Sequence, residues 1–415
     1  VFNQGHLVGD LAKSLYPDGM EVAKGVLRRK PVLEETARLM DRRVPLFEPA
    51  FAIDGGYARL DILVPDGPEA WRIVEVKSGT SIKDENLLDV AFQLHICRAA
   101  GLAITGCAVM HVNRKYVRKG PIDTRRLLVE RDVTKAATAL LPRIAPRLGE
   151  LRELLREDAC PAVGIGPHCH QPYTCDLRTR CWAFLPEYPV TELYRDTKGR
   201  RWNYLDYGFL GLAEIPDPDT LRAKQRIQVR AVRDQRPHID RRAIQRFLAK
   251  LVWPRAYLDF ETTSSAIPPY EGTRPYQQVP FQFSLHVQAT AGAPLTHHEF
   301  LASGPEDPRP DLLNALRSCL PDHGSVITYN ASFENKCLRA CAEAFPEHAW
   351  ASLVPGQVVD LLAPFRSFSY HHPDQHGSAS IKAVLPALTG TSYSELAIQD
   401  PTRLARVVPR DPVVV

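Results

Sequence analysis

Two acidic residues and a lysine lie on neighbouring predicted strands early in the chain. Residues 59–63 read Arg-Leu-Asp-Ile-Leu and residues 74–77 read Val-Glu-Val-Lys, which predicts that Asp61 ends one apolar strand and that Glu75 and Lys77 lie in the next. Side chains in a strand alternate between faces, so Glu75 and Lys77 share one face. Carboxylates on adjacent strands can bind a divalent metal, and a nearby lysine can orient or deprotonate water or stabilise phosphate charge.

The surroundings of these residues favour a metal-dependent nuclease over the alternative, an exposed strand face with a surface salt bridge. Glu48 lies upstream in the same sheet pattern, and Gln93 lies on the predicted helix that follows. A Glu-x-Lys pair alone is usually a surface pair. An Asp on one strand, Glu-x-Lys on the next and Gln on the following helix are more specific together.

With these residues the sequence resembles the RecB-like branch of the PD-(D/E)XK nucleases, including CRISPR-associated members with iron–sulfur clusters. The residues that match are His6, Asp61, Glu75, Lys77 and Gln93. The resemblance implies that His6, Asp61 and Glu75 bind Mg²⁺ or Mn²⁺. It further implies that Lys77 is catalytic and that Gln93 lies near DNA.

Two positions need comment: His6 has an alternative role, and Cys97 departs from the family's pattern. At His6, a helix-surface or capping role is the alternative to metal ligation. The family has a tyrosine four residues after the glutamine, and this sequence has Cys97 there.

Three cysteines stand at regular intervals of six residues: Cys169, Cys175 and Cys181. Thiolates suit iron–sulfur clusters or zinc. A structural zinc site could take His168 or His170 as its fourth ligand, whereas a [4Fe–4S] cluster needs a fourth cysteine, for which Cys160 is available. The RecB-like resemblance implies the [4Fe–4S] cluster, with its fourth cysteine before the nuclease core and therefore before Val1.

A second pair of acids lies in residues 257–262, Tyr-Leu-Asp-Phe-Glu-Thr. Asp259 and Glu261 share a face of this predicted strand. They resemble the start of the DnaQ-like exonucleases of the ribonuclease H fold, whose two-metal site activates water and stabilises the leaving oxygen. The resemblance continues to Glu334, which stands where Asp is usual, and to Asp360, for which a helix N-cap is the alternative. The family's final motif, a Tyr or His with an Asp four residues later, is not found in the sequence.

Two longer stretches, residues 269–282 and 377–386, resemble the bacterial domain-of-unknown-function family 2779. Its members are often fused behind a RecB-like, cysteine-bearing module, so the resemblance covers residues 1–400 and implies two nuclease domains. Charged and aromatic side chains in these stretches could contact nucleic acid by charge and base stacking, with loop anchoring and core packing as the alternative: Lys382, Tyr270, Tyr276 and Phe281.

The composition places the chain among globular proteins of two or three domains. Of its 415 residues, 44% are hydrophobic and 24% are charged, which is ordinary for soluble domains. There is no apolar run long enough for a transmembrane helix and no secretion signal, which predicts a cytoplasmic protein without membrane contact.

The apolar periodicity predicts the elements that must position these residues. Helices are predicted over 5–15, 85–100, 308–320 and from 333, and strands over 47–64 with a turn at Asp54-Gly55-Gly56, 71–77, 108–113, 256–261, 281–287, 297–301 and 326–329. This order predicts an α/β fold class, with a restriction-endonuclease-like PD-(D/E)XK core followed by a ribonuclease-H-like mixed-sheet domain.

The predicted domains follow the motifs. They are a RecB-like nuclease (1–150), a cysteine segment that closes it (151–190), a basic helical linker (191–255), an exonuclease domain (256–400) and an irregular tail (401–415). The linker holds 15 Lys and Arg against 8 Asp and Glu, which suits an anionic polymer, with a solvated helical surface as the alternative. The predicted function is a metal-dependent nuclease that acts on DNA. The alternative is a non-catalytic nucleic-acid-binding or scaffold protein with decayed nuclease folds.

Overall fold

The computed structural model describes residues 2–23, 25, 28–53 and 55–391. By their internal contacts the residues form two α/β units. The first unit combines Val1–Val163 with Ser264–Gln277, and the second combines Gly164–Thr263 with Gln278–Val415. No helix in these described ranges is long and apolar enough to cross a membrane.

The first unit is built on a mixed six-stranded sheet with the strand order β1-β2-β5-β6-β7-β8, and a separate hairpin pairs β3 with β4. Its helices are α1 (Phe2–Lys13), α2 (Arg29–Met40), α3 (Asp84–Ala99), α4 (Thr124–Leu127) and α5 (Thr134–Leu154). Its strands are β1 (Met20–Glu21), β2 (Leu46–Phe47), β3 (Ala50–Ile53), β4 (Gly56–Arg59), β5 (Ile62–Asp66), β6 (Ala70–Lys77), β7 (Ile104–Val112) and β8 (Leu128–Asp132).

Alternation along β6 decides which side chains meet the helices. Trp71 and Ile73 belong to the buried cluster that includes α3, whereas Val74 belongs to the cluster that includes α1. Glu75 and Lys77 have the same parity as Ile73 and therefore point toward α3. Burying an aliphatic or aromatic side chain contributes about 1.5–3 kcal/mol, so this assignment of faces is strongly determined.

The prediction of a continuous strand through residues 59–63 is wrong, because the strand is interrupted there and the chain passes from one sheet to another. β4 ends at Arg59 and β5 begins at Ile62. Between them the Leu60 amide donates to the Pro49 carbonyl, and the Asp61 carbonyl accepts from the Glu48 amide. Asp61 therefore precedes β5 directly instead of ending the strand before it.

The second unit carries a mixed five-stranded sheet with the order β12-β11-β10-β13-β14 and a short β9–β15 pair. Its helices are α6 (Arg178–Cys181), α7 (Arg200–Asp206), α8 (Ala223–Asp234), α9 (Arg241–Leu248), α10 (Arg309–Cys319), α11 (Ala331–Ala344), α12 (Ala363–Arg366) and α13 (Ile381–Thr389). Its strands are β9 (His238–Ile239), β10 (Arg255–Thr263), β11 (Val279–Gln288), β12 (Leu295–Leu301), β13 (Ser325–Thr328), β14 (Val358–Asp360) and β15 (Tyr370–His371).

The parallel strands of this sheet bring three chain segments to one edge. β10, β13 and β14 run parallel, whereas β11 and β12 are antiparallel to their neighbours. On one face, Leu258 pairs with Leu285 and Phe260 with Phe283, all buried. Residues at the carboxyl ends of parallel strands lie at a common edge, which is where α/β sheets bind ligands.

One loop of the second sheet folds with the first unit. Residues 264–277 connect β10 with β11, yet Ala266 is buried in the cluster that contains α1. The side-chain oxygen of Gln4 accepts hydrogen bonds from the Ala266 amide at 2.7 Å and from the Ser265 hydroxyl at 3.1 Å. The Tyr276 hydroxyl donates to the Ser78 carbonyl at 2.6 Å, one residue beyond Lys77.

The predicted α/β class is confirmed, as are the main elements. The predicted helix over 85–100 corresponds to α3 and the strand over 71–77 to β6. The predicted hairpin corresponds to β3 and β4, although Asp54 of its turn lies outside the described residues. The predicted tail at 401–415 also lies outside them, as do residues 392–400. The predicted domain boundaries stay predictions.

Burial of one histidine makes the second unit sensitive to acid. His371 is 1% exposed and stacks on Phe368 with ring centroids 4.4 Å apart. Burial, followed by the nearby His238 and His372, lowers the pKa of His371 to about 4. The unfolded chain therefore binds a proton that the folded chain rejects between pH 6.5 and 4, and stability is lost as pH falls through that range.

We therefore expect His371→Phe, which keeps a ring against Phe368, to reduce the acid sensitivity. Urea unfolding followed by circular dichroism should show up to about 3 kcal/mol less loss of unfolding free energy between pH 7 and pH 4. The exposed His323→Gln serves as the control and should retain the loss of the unmodified protein. An identical pH dependence in His371→Phe would contradict the assignment.

Candidate functional site

Two carboxylates lie against each other at the start of β5 and in β6 of the first unit. The Val76 amide donates to Asp61 Oδ2 at 2.6 Å, which holds Asp61 beside Glu75. Glu75 is 5% exposed. Burial raises the pKa of both side chains, and the negative charge of Asp61 raises the pKa of Glu75 further. A half-buried carboxylate beside a buried one favours a bound cation or proton.

The lysine of β6 supplies positive charge to this pair. Lys77 Nζ lies 2.6 Å from Glu75 Oε1 and 2.8 Å from Asp89 Oδ2. Burial alone would lower the pKa of Lys77, but Glu75 and Asp89 outweigh it and raise the pKa above its ordinary value. The lysine is therefore a charged ammonium in this structure and acts as the counter-ion of the carboxylates.

Gln93 of α3 completes the contacts of Glu75. Its amide nitrogen donates to Glu75 Oε2 at 2.7 Å, and the side chain is 3% exposed. Because the nitrogen faces Glu75, the amide oxygen of Gln93 is turned away from it. Within the described residues that buried oxygen has no hydrogen-bond partner. Such an unsatisfied acceptor fits an additional water or metal ligand at the site.

The structure adds one residue that sequence reasoning missed. Asp89 lies one helical turn before Gln93 on α3 and reaches Lys77 from the helix side. Its charge also raises the pKa of Asp61 and Glu75. The i,i+4 spacing of Asp89 and Gln93 was a usable signal, because residues at that spacing share one helix face.

Two residues that the sequence analysis named near this site do not join the contacts of Lys77 and Glu75. His6 is on the exposed side of α1, and within the described residues it has no hydrogen-bond or ion-pair partner. Glu48 binds Arg59 at 3.2 Å and Lys13 at 3.8 Å, while its charge raises the pKa of Asp61. The structure therefore brings Asp61, Glu75, Lys77 and Gln93 together and leaves His6 apart from that network.

The second set of acids gathers at the carboxyl edge of the parallel strands. Asp259 and Glu261 lie on β10, on the face opposite Leu258 and Phe260. Asp259 keeps an exposed side chain, yet desolvation by the surrounding protein raises its pKa. Burial and the charge of Asp259 raise the pKa of Glu261, and the nearby Lys382 opposes this increase.

Glu334 is the buried acid of this group. It lies in the first turn of α11 and is 2% exposed. Burial raises its pKa to about 7, and the charges of Asp259 and Asp360 contribute further. Among the described residues its Oε2 atom has no hydrogen-bond partner. Like the amide oxygen of Gln93, this buried oxygen fits an added cation or proton.

Asp360 at the end of β14 has a structural role as well. Its Oδ1 atom accepts from the Asn330 and Leu362 amides, both at 3.0 Å. These bonds hold the β13–α11 turn, where Asn330 has a φ of 81°. The sequence left a helix N-cap and a metal role open for Asp360. The residue that caps α12 is Leu362, so the bond from the Leu362 amide is a local turn contact, and the metal role stays a prediction.

The three predicted cluster cysteines occupy a short irregular segment. Cys169 is buried, whereas Cys175 and Cys181 are exposed. The Cys175 amide donates to the Cys169 carbonyl at 2.9 Å, so the chain folds back on itself there. Three thiols are the right donor set for iron–sulfur or zinc chemistry, but their present arrangement does not unite them as ligands.

None of the three constellations is preassembled as a metal centre. Across the described part of the chain, no three His, Cys, Asp or Glu side chains form a group that could hold a metal ion as they stand. At the first site the Lys77 ammonium takes up the carboxylate charge instead. The hard oxygen donors and the unsatisfied oxygens of Gln93 and Glu334 nevertheless fit Mg²⁺ or Mn²⁺ chemically.

Comparison with known proteins identifies part of the second unit. Residues 256–380 match the family described as Domain of unknown function (DUF2779). The chain contains a DUF2779 domain. This domain begins with β10 and includes Asp259, Glu261, Glu334 and Asp360, together with the loop that packs in the first unit. The predicted resemblance is thereby confirmed for this region. No curated protein matches the chain.

Replacing Asp61 by Asn separates metal binding from folding. Asn can still accept from the Val76 amide, but it no longer repels Glu75. We expect Asp61→Asn to melt no lower than the unmodified protein in EDTA and to lose stabilisation by Mn²⁺. For the unmodified protein, Mn²⁺ at 100 times its Kd should raise Tm by about 5 °C or more. This shift should grow as pH rises, because the metal displaces protons from acids whose pKa values are raised.

Differential scanning calorimetry with and without Mn²⁺ makes this measurement. The exposed Glu69→Gln, in the turn between β5 and β6, removes one acid elsewhere and should keep the full Mn²⁺ shift. An equal shift in Asp61→Asn would exclude Asp61 as a metal ligand.

Proposed function

We propose that this protein is a metal-dependent nuclease that hydrolyses phosphodiester bonds in DNA. The observation that carries the proposal is the pair of half-buried Asp61 and buried Glu75, with Lys77 2.6 Å from Glu75. Buried acids of raised pKa with a specific charged partner are typical of catalytic sites. The motif resemblance to RecB-like nucleases supports a restriction-endonuclease-like PD-(D/E)XK core for the first unit.

Each residue of the first site has a distinct task in the proposed reaction. A bound Mg²⁺ or Mn²⁺ would supply Lewis-acid activation of water and of the scissile phosphate. Asp61, fixed by the Val76 amide, and Glu75, fixed by Gln93, would hold the metal. Lys77 keeps its proton and stabilises negative charge that develops on the phosphate oxygens. Asp89 and Gln93 position Lys77 and Glu75.

For the DUF2779 domain we propose a second, 3′-5′ exonuclease-like site on a ribonuclease-H-like sheet. Asp259, Glu261 and Glu334 would hold the metal at the carboxyl edge of β10 and β13. Their raised pKa values and the unsatisfied Glu334 oxygen support this assignment. Glu334 replaces the usual Asp, and the last acidic motif of such exonucleases is not found in the sequence. The first site is therefore proposed as the principal centre.

Removal of the Lys77 charge tests the proposed nuclease directly. We expect Lys77→Ala to lower cleavage of single- and double-stranded DNA by roughly 100-fold or more with Mg²⁺ or Mn²⁺, because a stabilising charge at the phosphate is lost. Lys30→Ala removes an exposed lysine of α2 and should leave cleavage unchanged. Circular dichroism and melting verify that both variants fold.

Unchanged cleavage by folded Lys77→Ala would refute the assignment of this site. DNA binding by the unmodified protein without cleavage, with every divalent metal tried, would favour the alternative. That alternative is a non-catalytic nucleic-acid-binding or scaffold protein.

We further propose that Cys169, Cys175 and Cys181 bind a [4Fe–4S] cluster, with structural zinc as the alternative. Iron, zinc and sulfide analysis of protein purified without oxygen should find iron and sulfide. Cys175→Ser should lose most of the iron, whereas Cys319→Ser, half-buried on α10, should retain it. Zinc without sulfide would support the zinc site, and no bound metal at all would exclude both.

A further inference from the structure

Two adjoining cavities of the second unit form a groove with a uniform charge. They have volumes of about 490 and 330 Å³ and share Tyr194 and Arg195 in their walls. Among the residues that the structure describes, no acidic side chain lines either cavity. We call this surface the basic groove and define it by its four cations: Arg195, Arg222, Lys224 and Arg366. Cavities of this size suit ligands of about one or two nucleotides.

The cations of the basic groove have no carboxylate partner in the described part of the chain. Among the described residues none of the four forms an ion pair, whereas the neighbouring Arg226 and Arg230 both pair with Asp219. The groove cations contact neutral groups instead: Arg366 reaches the Asn330 side-chain oxygen at 3.4 Å, and Lys224 reaches the Arg366 carbonyl at 2.7 Å. Unneutralised cations held close together attract a polyanion.

A rigid aromatic platform lies among these charges. Tyr194 packs on Phe368 with ring centroids 4.7 Å apart, and Lys224 lies over both rings. Two buried glutamines of α8 hold the backbone of Tyr194. Gln228 accepts from the Tyr194 amide, and Gln225 donates to the Tyr194 carbonyl. The ring is thus fixed before any ligand binds, which suits base stacking.

The groove lining holds its backbone in unusual conformations. Arg195 has a φ of 41° and Asn330 a φ of 81°, and Phe368 beneath the platform has a φ of 65°. Non-glycine residues adopt positive φ at a cost of about 1–3 kcal/mol each, and such residues gather at ligand sites. The strain therefore coincides with the unpaired charges.

One end of the basic groove meets the acidic edge of the DUF2779 domain. Tyr329 and Asn330 line the larger cavity and lie between β13 and α11, whose first turn carries Glu334. Asp360 accepts from the Asn330 amide. A strand in the groove would therefore run toward the acids of the proposed second site.

We propose that the basic groove binds the sugar–phosphate backbone of a single-stranded nucleic acid, with one base stacked on Tyr194. The proposal rests on the proposed nuclease function and adds a substrate form and a binding path to it. Single strands are favoured over duplex because only unpaired bases can stack on an aromatic side chain.

Fluorescence anisotropy with labelled oligothymidine in EDTA tests the groove without any cleavage. The double variant Arg195→Ala/Arg366→Ala should weaken binding at least tenfold and reduce the slope of log K against log salt by about 1 to 2. The matched control, Arg241→Ala/Arg242→Ala, removes two exposed arginines of α9 and should bind like the unmodified protein. Equal weakening in both double variants would overturn the proposal, because general charge would then explain binding.

Tyr194→Leu tests base stacking and should weaken the binding of oligothymidine at least fivefold. Duplex DNA of the same sequence, oligouridine and inorganic phosphate are the comparison ligands. Weaker duplex than single-strand binding supports the proposal, and oligouridine shows whether RNA shares the site. Three outcomes would each overturn the proposal. They are equal binding of duplex and single strand, unchanged oligothymidine binding by Tyr194→Leu, and full competition by inorganic phosphate at oligonucleotide concentrations. Groove-dependent binding without cleavage in Mg²⁺ would support the groove while refuting the nuclease.

Discussion

The first unit depends on the approach of two carboxylates, half-buried Asp61 just before β5 and buried Glu75 in β6. The strand pairing of Ile62 with Val74 forces Asp61 next to Glu75, and burial of the surrounding sheet removes the water that would screen them. An uncompensated pair of this kind is costly, so a cation or a proton must accompany it. Lys77 provides that charge here, and a divalent metal would share the task. The helix α3 follows the same requirement, since it contributes Gln93 and Asp89 to the same two side chains.

Most of the first site could be predicted from the local periodicity of the sequence. Alternation along β6 placed Glu75 and Lys77 together, and the helical spacing of α3 turned Gln93 toward the sheet. The break at Asp61 was not predictable, because it depends on hydrogen bonds with Pro49 and Glu48 that only the folded chain forms. Motif resemblance named His6 as a ligand, yet nothing in a motif determines which face of α1 it occupies.

The second unit shows a different limit of sequence reasoning. The apolar strands of the DUF2779 domain were readable, and so were the acids on β10. The loop at 264–277 was not, because its burial with α1 depends on long-range contacts such as Gln4 with Ala266. The basic groove was also not predicted from the sequence. The charge surplus of 191–255 indicated an anionic partner, but the unpaired Arg366 comes from a distant segment and completes the surface only after folding.

Crystallography with manganese tests the central claim most directly. Crystals of the unmodified protein soaked in Mn²⁺ should show an anomalous peak in contact with Asp61 and Glu75 at pH 8, with Lys77 no longer bridging Glu75 and Asp89. Crystals of Asp61→Asn treated alike should show none there. If crystals of the unmodified protein show no such peak under these conditions and Lys77 is still bonded to both acids, that result would contradict a metal-dependent active site in this unit.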